Sequence, residues 1–320
     1  TLGDIKCLKL GVCEGSIEAM ESAIRLDPDN VLFHTGLGRV YLRLSRYAEA
    51  VESFGRATEL DSTSAAARNG MGQALAGSGQ YAEAETLLLQ AIRLNPAYPE
   101  AHYNLSSVYL RQGKIEAGQR QKAVFDRVNS YFDAIRKSRM LLAANPNDPV
   151  AHYNMGTVYT KLGLPEKAAE QFRHTLAINP VHVQSWHNLG SANMRLEQVN
   201  EAIVAYRQAL SIDDEYELAW NNLGNAYLME GLFGQARLAY SKVLELHPGY
   251  ADALHGLGNV ALQSEDYGLA LEHYESVLEA DPTYVTAHYG RAMAYRGLRD
   301  TTGAVDALRE FRAAQVRGDP

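Results

Sequence analysis

Cysteine, long apolar runs and basic residues are all in short supply in this chain of 320 residues. The two cysteines, Cys7 and Cys13, are six residues apart. That spacing matches neither a zinc knuckle nor a redox Cys-x-x-Cys pair, so both are interpreted as small core-filling thiols. The longest apolar runs, such as Leu87–Leu89 and Met140–Ala144, are too short to span a bilayer, and the chain does not open on a basic and then apolar leader. We therefore expect no direct membrane insertion.

Basic residues are outnumbered, since 30 lysines and arginines face 38 aspartates and glutamates, for a net charge of −8. A protein that binds nucleic acid regardless of sequence must neutralise phosphates, so no nucleic-acid partner is expected. Hydrophobic residues make up 46% of the chain, which is enough to bury a core. Localisation stays open: the chain starts at Thr1 without an initiator methionine, so cytoplasmic is the default and a secreted or periplasmic protein with a removed leader is the alternative.

A 34-residue period organises the sequence. A Leu-Gly or Met-Gly pair recurs at multiples of 34, with one interruption that adds 16 residues. Alanine recurs at position 20 of each period, and proline is frequent at position 32. The pairs are Leu37-Gly38, Met71-Gly72, Met155-Gly156, Leu189-Gly190, Leu223-Gly224 and Leu257-Gly258, and the periods start at Val31, Ala65, Pro99, Pro149, Val183, Glu217, Ala251 and Val285.

The spacing within one period predicts a helical hairpin. Positions 4, 7, 8 and 11 form the apolar stripe of a first helix, and positions 20, 24 and 27 form that of a second. Small residues at positions 8 and 20 allow close backbone approach, and the aromatic residues at 11 and 24 fill the space beside them. A glycine near position 15, as in Gly79, Gly113, Gly163 and Gly231, is expected to end the first helix in a left-handed cap.

This pattern resembles the tetratricopeptide repeat, and the resemblance covers nearly the whole chain. It implies an all-α, right-handed superhelical solenoid of helix-turn-helix repeats, about eight full ones after a truncated first. We divide the chain into a first block, 1–128, and a second block, 129–320. The first contains a partial repeat at 1–30 and repeats from 31, 65 and 99; the second contains a half repeat at 129–148, repeats from 149, 183, 217, 251 and 285, and a C-terminal capping helix.

The register is broken between residues 113 and 148. One interpretation is that residues 113–128 form a helix that caps the first block, with a hinge near residue 129. The alternatives are one long helix or a gap in the chain.

In the tetratricopeptide repeat family, which this chain resembles, the first helix of each pair lines the concave groove, chiefly through positions 2, 5, 6, 9, 12 and 13. Position 6 is asparagine in four consecutive repeats, and such a row can pair with the backbone of an extended peptide. It is similar to the asparagine ladder of the O-GlcNAc transferase superhelix; the alternatives are that asparagine is simply common at this position and that the face is solvated without a ligand. The candidate peptide-binding residues are Asn104, Asn154, Asn188, Asn222, Asn221, Asn225, Asn259, Tyr103, Tyr153, Thr157, His187, Ser191, Arg111, Lys161 and Arg195.

Charge at the groove positions opposes the charge of the whole chain. Six basic residues and two acidic residues occupy them, which favours a protein partner with acidic or polar segments. The two-carboxylate clamp of some cochaperone repeats needs lysine or arginine at positions 2, 5 and 6, and none occurs there. The basic residues are Arg39, Arg43, Arg111, Lys161, Arg195 and Arg296, and the acidic ones are Glu100 and Asp252.

No motif in the sequence indicates catalysis. His34, His102, His152 and His288 all fall at position 4, one per repeat, where equivalent atoms lie on the order of 10 Å apart, too far for shared metal ligation. We therefore expect core histidines, no metal, no cofactor and no enzyme. The predicted function is a protein–protein interaction scaffold or adaptor that grips an extended or helical partner segment along Asn104–Asn259. The alternatives are the repeat arm of a larger enzyme such as a glycosyltransferase, or a self-assembling repeat protein, which would make the chain a homo-oligomer.

Overall fold

The computed structural model describes residues 15–318, and the predictions for Cys7 and Cys13 lie outside that range. Within it every regular element is a helix. The chain divides into two compact units, Thr1–Ala134 (unit 1) and Ile135–Pro320 (unit 2). In chain order, α1 covers 15–26 and is followed by α2 (Val31–Arg43), α3 (Tyr47–Leu60), α4 (Ala65–Gly77), α5 (Tyr81–Leu94), α6 (Pro99–Arg111), α7 (Ile115–Ala144), α8 (Pro149–Lys161), α9 (Pro165–Ile178), α10 (Val183–Arg195), α11 (Val199–Ile212), α12 (Glu217–Met229), α13 (Phe233–Leu246), α14 (Ala251–Gln263), α15 (Tyr267–Ala280), α16 (Val285–Gly297) and α17 (Thr301–Gly318).

The repeat register predicted from the 34-residue period is confirmed. The eight first helices, α2, α4, α6, α8, α10, α12, α14 and α16, begin at the eight predicted repeat starts and each has 13 residues. Seven of them pack against the helix that follows, and α6 contacts α7 through Tyr103 and Phe125, so the predicted all-α solenoid of helix-turn-helix repeats is also confirmed.

A left-handed residue at position 15 ends every first helix. Four of these residues are the predicted glycines, and four are not glycine: Ser45, Glu197, Glu265 and Arg299 have φ between 58° and 63°. The next residue then donates its N–H to the carbonyl at position 11, as Asp266 does to Ala261 at 2.9 Å. This bond is the signature of a Schellman cap, so the geometry of the turn is kept even where a side chain makes it costly.

In five of the eight repeats an aromatic ring at position 24 is the centre of the hairpin core. Tyr240 is fully buried, and its ring lies between Gly224 of its own repeat and Gly256 of the next. A Cβ added at Gly224 would come within 2.6 Å of the ring, and one added at Gly256 within 2.4 Å. The glycines are therefore required because the ring touches the helix backbones on both sides. Phe54, Tyr206 and Tyr274 make the same close approach to helical glycines.

The interrupted segment is a single helix, α7, of 30 residues. Its first part packs on α6, where the rings of Phe125 and Tyr103 are tilted with centroids 5.3 Å apart. The last helix, α17, repeats this contact, since Phe311 packs at a similar tilt against Tyr289 at 5.5 Å. The two units divide within α7, between Ala134 and Ile135. The hinge near residue 129 remains a prediction.

Candidate functional site

Unit 2 exposes one continuous set of side chains on its first helices. We call this set the first-helix face of unit 2. Helices α10 and α12 contact each other, as do α12 and α14, so their members are neighbours. The face consists of Tyr153, Asn154, Thr157 and Lys161 on α8; His187, Asn188, Ser191 and Arg195 on α10; Asn222 and Asn225 on α12; and His255 and Asn259 on α14, all of them exposed or half-buried.

Asn221 differs from the other residues that the sequence placed in the groove. It is only 6% exposed, and its Oδ1 is buried without a hydrogen bond among the described residues. It therefore belongs to the packing between hairpins, whereas its neighbour Asn222 is half-buried on the accessible face.

His187 connects two members of the predicted asparagine row. Asn222 Nδ2 lies 2.9 Å from His187 Nε2, a contact that joins α12 to α10. The NH₂ nitrogen of Asn222 can only donate, so His187 Nε2 accepts, and the proton of the neutral ring is on Nδ1. That nitrogen lies 3.3 Å from Asn188 Oδ1 and can donate to it. Burial lowers the pKa of His187, while the hydrogen bond with Asn188 acts in the opposite direction, so the ring favours this neutral form.

Asn154 is the most accessible residue of the row, since it is exposed on α8 whereas Asn188 and Asn222 are half-buried. The three members of the asparagine row in unit 2 are therefore one open amide and two whose polar atoms are partly used inside the unit.

Buried tyrosine hydroxyls support the face from behind. Tyr240 donates to Asn225 Oδ1 and Tyr274 donates to Asn259 Oδ1, both at 2.7 Å. Tyr206 occupies the same position in the preceding repeat, with its hydroxyl 3.3 Å from Ser191 Oγ. Burial raises the pKa of Tyr206 to about 12, and the pKa values of Tyr240 and Tyr274 are raised by burial as well, so all three remain protonated donors.

Aromatic rings line the junctions between successive repeats of unit 2. His187 meets Tyr216 edge to face with centroids 5.2 Å apart, and His255 lies 5.3 Å from Tyr284. At the junction before them, the tilted rings of Tyr153 and His182 have centroids 4.8 Å apart. Sequence reasoning missed the partners at position 34, although Tyr216, Tyr250 and Tyr284 recur at intervals of 34 residues and could have been found by that period.

The hydroxyls at position 9 turn towards their own helices. Thr157 donates to the carbonyl of Tyr153 at 3.0 Å, and Ser191 donates to that of His187 at 3.1 Å. Their contribution to the face is thus an oxygen rather than a donated hydrogen.

Unit 1 has a separate concavity. A cavity of about 780 Å³ is bounded by α2, α4, α6 and α7, and Asn104 Nδ2 donates to Asn69 Oδ1 at 3.0 Å on its wall. Arg111 lines a neighbouring cavity of about 440 Å³ that shares Asn104 with the first. The lining residues of the larger cavity include Arg39, Arg43, Gln73, Tyr98, Glu100, Tyr103 and Phe125.

Positive charge follows the C-terminal ends of the first helices. Lys161 and Arg195 are exposed at position 13 in unit 2, where they also complement the helix dipole. The acidic residue Asp252 accepts a hydrogen bond from the Tyr284 hydroxyl at 2.6 Å. The face of unit 2 is therefore more positive than a chain of net charge −8 would suggest.

In six of the eight repeats the position 4 side chain bonds a backbone carbonyl in the turn before its own hairpin. His102 Nε2 lies 2.9 Å from the carbonyl oxygen of Pro96, six residues earlier. His34, His152 and His288 make the same contact, and Trp186 and Trp220 reproduce it with Nε1 at 2.8 and 2.7 Å. These histidines are 5–9% exposed, so they are core residues. In residues 15–318 no group of three or more histidine, cysteine, aspartate or glutamate side chains could hold a metal ion.

Comparisons with known proteins agree with this geometry. One model described as a TPR repeat matches residues 74–113 and 194–231. Four models described as tetratricopeptide repeat match residues 8–65 and 255–320, 217–283, 42–93, and 149–182. The chain belongs to the tetratricopeptide repeat family. No curated protein matches it.

Solved structures share the fold. MamA 41-end from Desulfovibrio magneticus RS-1 is 16% identical with a TM-score of 0.51, covering 54% of this chain and 97% of that one. PilW, a type IV pilus biogenesis factor, is 19% identical with a TM-score of 0.50, covering 69% of this chain and 95% of that one. At these identities the likeness concerns the fold alone. In the described part of the chain no helix is both long and apolar enough to cross a membrane.

Proposed function

We propose that this chain is a non-enzymatic protein-interaction scaffold or adaptor, and that its first-helix faces hold an extended or helical segment of a partner protein. The observation that carries this proposal is that each first helix has one face buried in the hairpin core and another that remains accessible. On α10, Leu189 and Gly190 are buried in the hairpin core, whereas Asn188 and Ser191 are half-buried and Arg195 is exposed. Packing of the repeats leaves this face accessible, which is expected of a surface that binds a partner.

Charge favours a partner segment with acidic or polar residues. Lys161 and Arg195 lie at equivalent positions of neighbouring repeats, so they form a short basic edge at α8 and α10. Exposed charges at the rim of an interface act mainly on association rate and partner choice. An acidic segment is thus attracted to the face in spite of the negative charge of the chain.

Peptide display against the full chain tests this function. We expect enrichment of peptides that carry acidic residues. The best peptide, measured by fluorescence anisotropy, is expected to bind the double variant Lys161→Glu, Arg195→Glu about tenfold more weakly. The matched control reverses Arg207 and Arg237, which are exposed on the second helices α11 and α13.

Equal loss in both double variants would show that only the overall charge matters and would refute a site on the first-helix face. Light scattering across a concentration series separates the alternative of self-assembly, because a groove that takes a neighbouring copy gives a mass that rises with concentration and falls in the face variant.

A further inference from the structure

The hydrogen bonds behind the first-helix face of unit 2 determine which atoms of its amides meet a ligand. Tyr240 and Tyr274 donate to the amide oxygens of Asn225 and Asn259. Because each oxygen is turned towards a buried hydroxyl, the NH₂ group of the same side chain lies on the other side, facing the accessible surface. Asn225 is exposed, so its amide hydrogens are available.

The amides of the other repeats have a similar polarity. The oxygen of Asn188 lies 3.3 Å from the His187 Nδ1 donor, which also leaves its NH₂ group outward. Asn222 gives one N–H to His187 and keeps its oxygen and its second N–H. Asn259 Nδ2 lies 3.4 Å from His255 Nδ1, so one of its two hydrogens remains for a ligand. The amides of Asn188, Asn225 and Asn259 thus turn N–H donors outward and their oxygens inward. Acceptors on the face come from Asn222, Thr157 and Ser191.

A donor-rich face does not suit a β-strand. The exposed edge of a strand alternates N–H donors with carbonyl acceptors, and it needs both kinds of partner. Proline has no N–H, and a run of prolines exposes only carbonyl acceptors along a polyproline II helix. The outward N–H groups of Asn225 and Asn259 thus favour a chain that presents carbonyl acceptors at those two positions.

The aromatic pairs at the repeat junctions agree with this selection. His187 with Tyr216 and His255 with Tyr284 place half-buried rings beside the amides. Grooves lined by rings accept proline side chains. One turn of polyproline II takes three residues and rises about 9 Å, close to the roughly 8–10 Å between packed helices. Every third residue of such a segment can therefore meet an equivalent site on the next repeat.

We propose that the first-helix face of unit 2 binds a proline-rich segment in the polyproline II conformation, with asparagine N–H groups donating to its carbonyl oxygens and the junction rings packing on its prolines. This assignment rests on the proposed function and narrows its partner to one class of peptide. Asn225 and Asn259 are specificity-determining residues, and the tyrosines behind them are positioning residues.

The test uses the full chain and a fluorescein-labelled oligoproline peptide, with a glycine–serine peptide of equal length and a glutamate-rich peptide as comparisons. Oligoproline is expected to bind roughly tenfold more tightly than the glycine–serine peptide, because its preformed helix loses less conformational entropy. Asn225→Asp keeps an oxygen for Tyr240 but replaces the outward donors with an acceptor. It is expected to weaken oligoproline binding by about tenfold.

Asn200→Asp is the matched control, since Asn200 is exposed on the second helix α11 and the change in charge is the same. Oligoproline that binds no better than the glycine–serine peptide, or that binds Asn225→Asp as well as the wild type, overturns the inference. If displayed peptides without proline still bind and still depend on Lys161 and Arg195, the proposed function survives that result. If no peptide of any class binds, both fail.

Discussion

One substitution made at two glycines tests the packing of unit 2 with opposite expected signs. Gly256→Ala places a Cβ 2.4 Å from the ring of Tyr240, whereas an ordinary contact starts at 3.4 Å, so the ring must move by about 1 Å (3.4 minus 2.4). It cannot retreat freely, because Gly224 holds its other face. Gly234→Ala, in the first turn of α13, meets nothing within 4 Å.

The expected magnitudes follow from these surroundings. Overpacking a filled core costs about 1–3 kcal/mol, so Gly256→Ala is expected to lower the free energy of unfolding by that amount. Replacing a strain-free helical glycine by alanine gains roughly 0.5–1 kcal/mol, so Gly234→Ala is expected to raise it. In urea, with a slope of about 2 kcal/mol/M, the two midpoints move apart by roughly 0.7–2 M.

Urea unfolding followed by circular dichroism at matched protein concentration measures both variants. The reasoning is refuted if Gly256→Ala unfolds at the same or a higher urea concentration than the wild type, since the ring would then have room that the structure denies. A parallel rise in both variants would show that helix propensity and the lower entropy of the unfolded chain outweigh the contact with the ring.

Three further predictions concern the turn, the position 4 contact and the histidine of the face. Glu265, at φ 59°, ends α14, and relief of its left-handed strain in Glu265→Gly is expected to raise the free energy of unfolding by about 0.5–1 kcal/mol in a thermal melt, a gain that Glu265→Ala does not share. Trp186→Phe removes the N–H that Pro180 accepts and is expected to cost about 0.5–1.5 kcal/mol in urea, with Trp186→His retaining more of the stability; equal losses would count against the contact. The pKa of His187 is lowered in the folded chain, so the unfolded state binds more protons as pH falls through the ordinary histidine range, and the associated stability is present above that range and lost below it. A urea midpoint that falls between pH 7.5 and 5.5 should fall less in His187→Gln, and an unchanged pH dependence would remove His187 as a contributor.

The repeat register was predictable because it rests on side-chain volume recurring at a fixed period. Tyr240 needs glycines on both sides, and a requirement of that kind is visible in any single sequence. The left-handed turn was predicted where glycine occupies it, at Gly231 for example. It was missed at Glu197, because a glutamate at that position does not indicate a left-handed conformation.

The sequence left a single helix as only one of several alternatives for the segment that forms α7, because the stop signals there are weak. Asn129 stands where the other repeats turn, but the residues around it include neither glycine nor proline to stop a helix. The candidate site was the least predictable part. That Asn221 is buried while Asn222 is half-buried depends on the rotation of α12, and the bond from Asn222 to His187 depends on the distance between two helices that local sequence does not encode.

In two hairpins of unit 2 the buried ring also bonds an amide of the first-helix face, so the packing of the interior and the proposed binding surface are coupled there. A ligand bound to Asn225 or Asn259 would hold these side chains in place, together with the hydroxyls of Tyr240 and Tyr274 that bond them. The two rings lie in glycine-lined seams between hairpins, so the ligand would stabilise those seams as well. A bound ligand would then oppose the opening of those seams, and amide hydrogen exchange would be slower along α13 and α15, the helices that carry the two tyrosines and not the two asparagines.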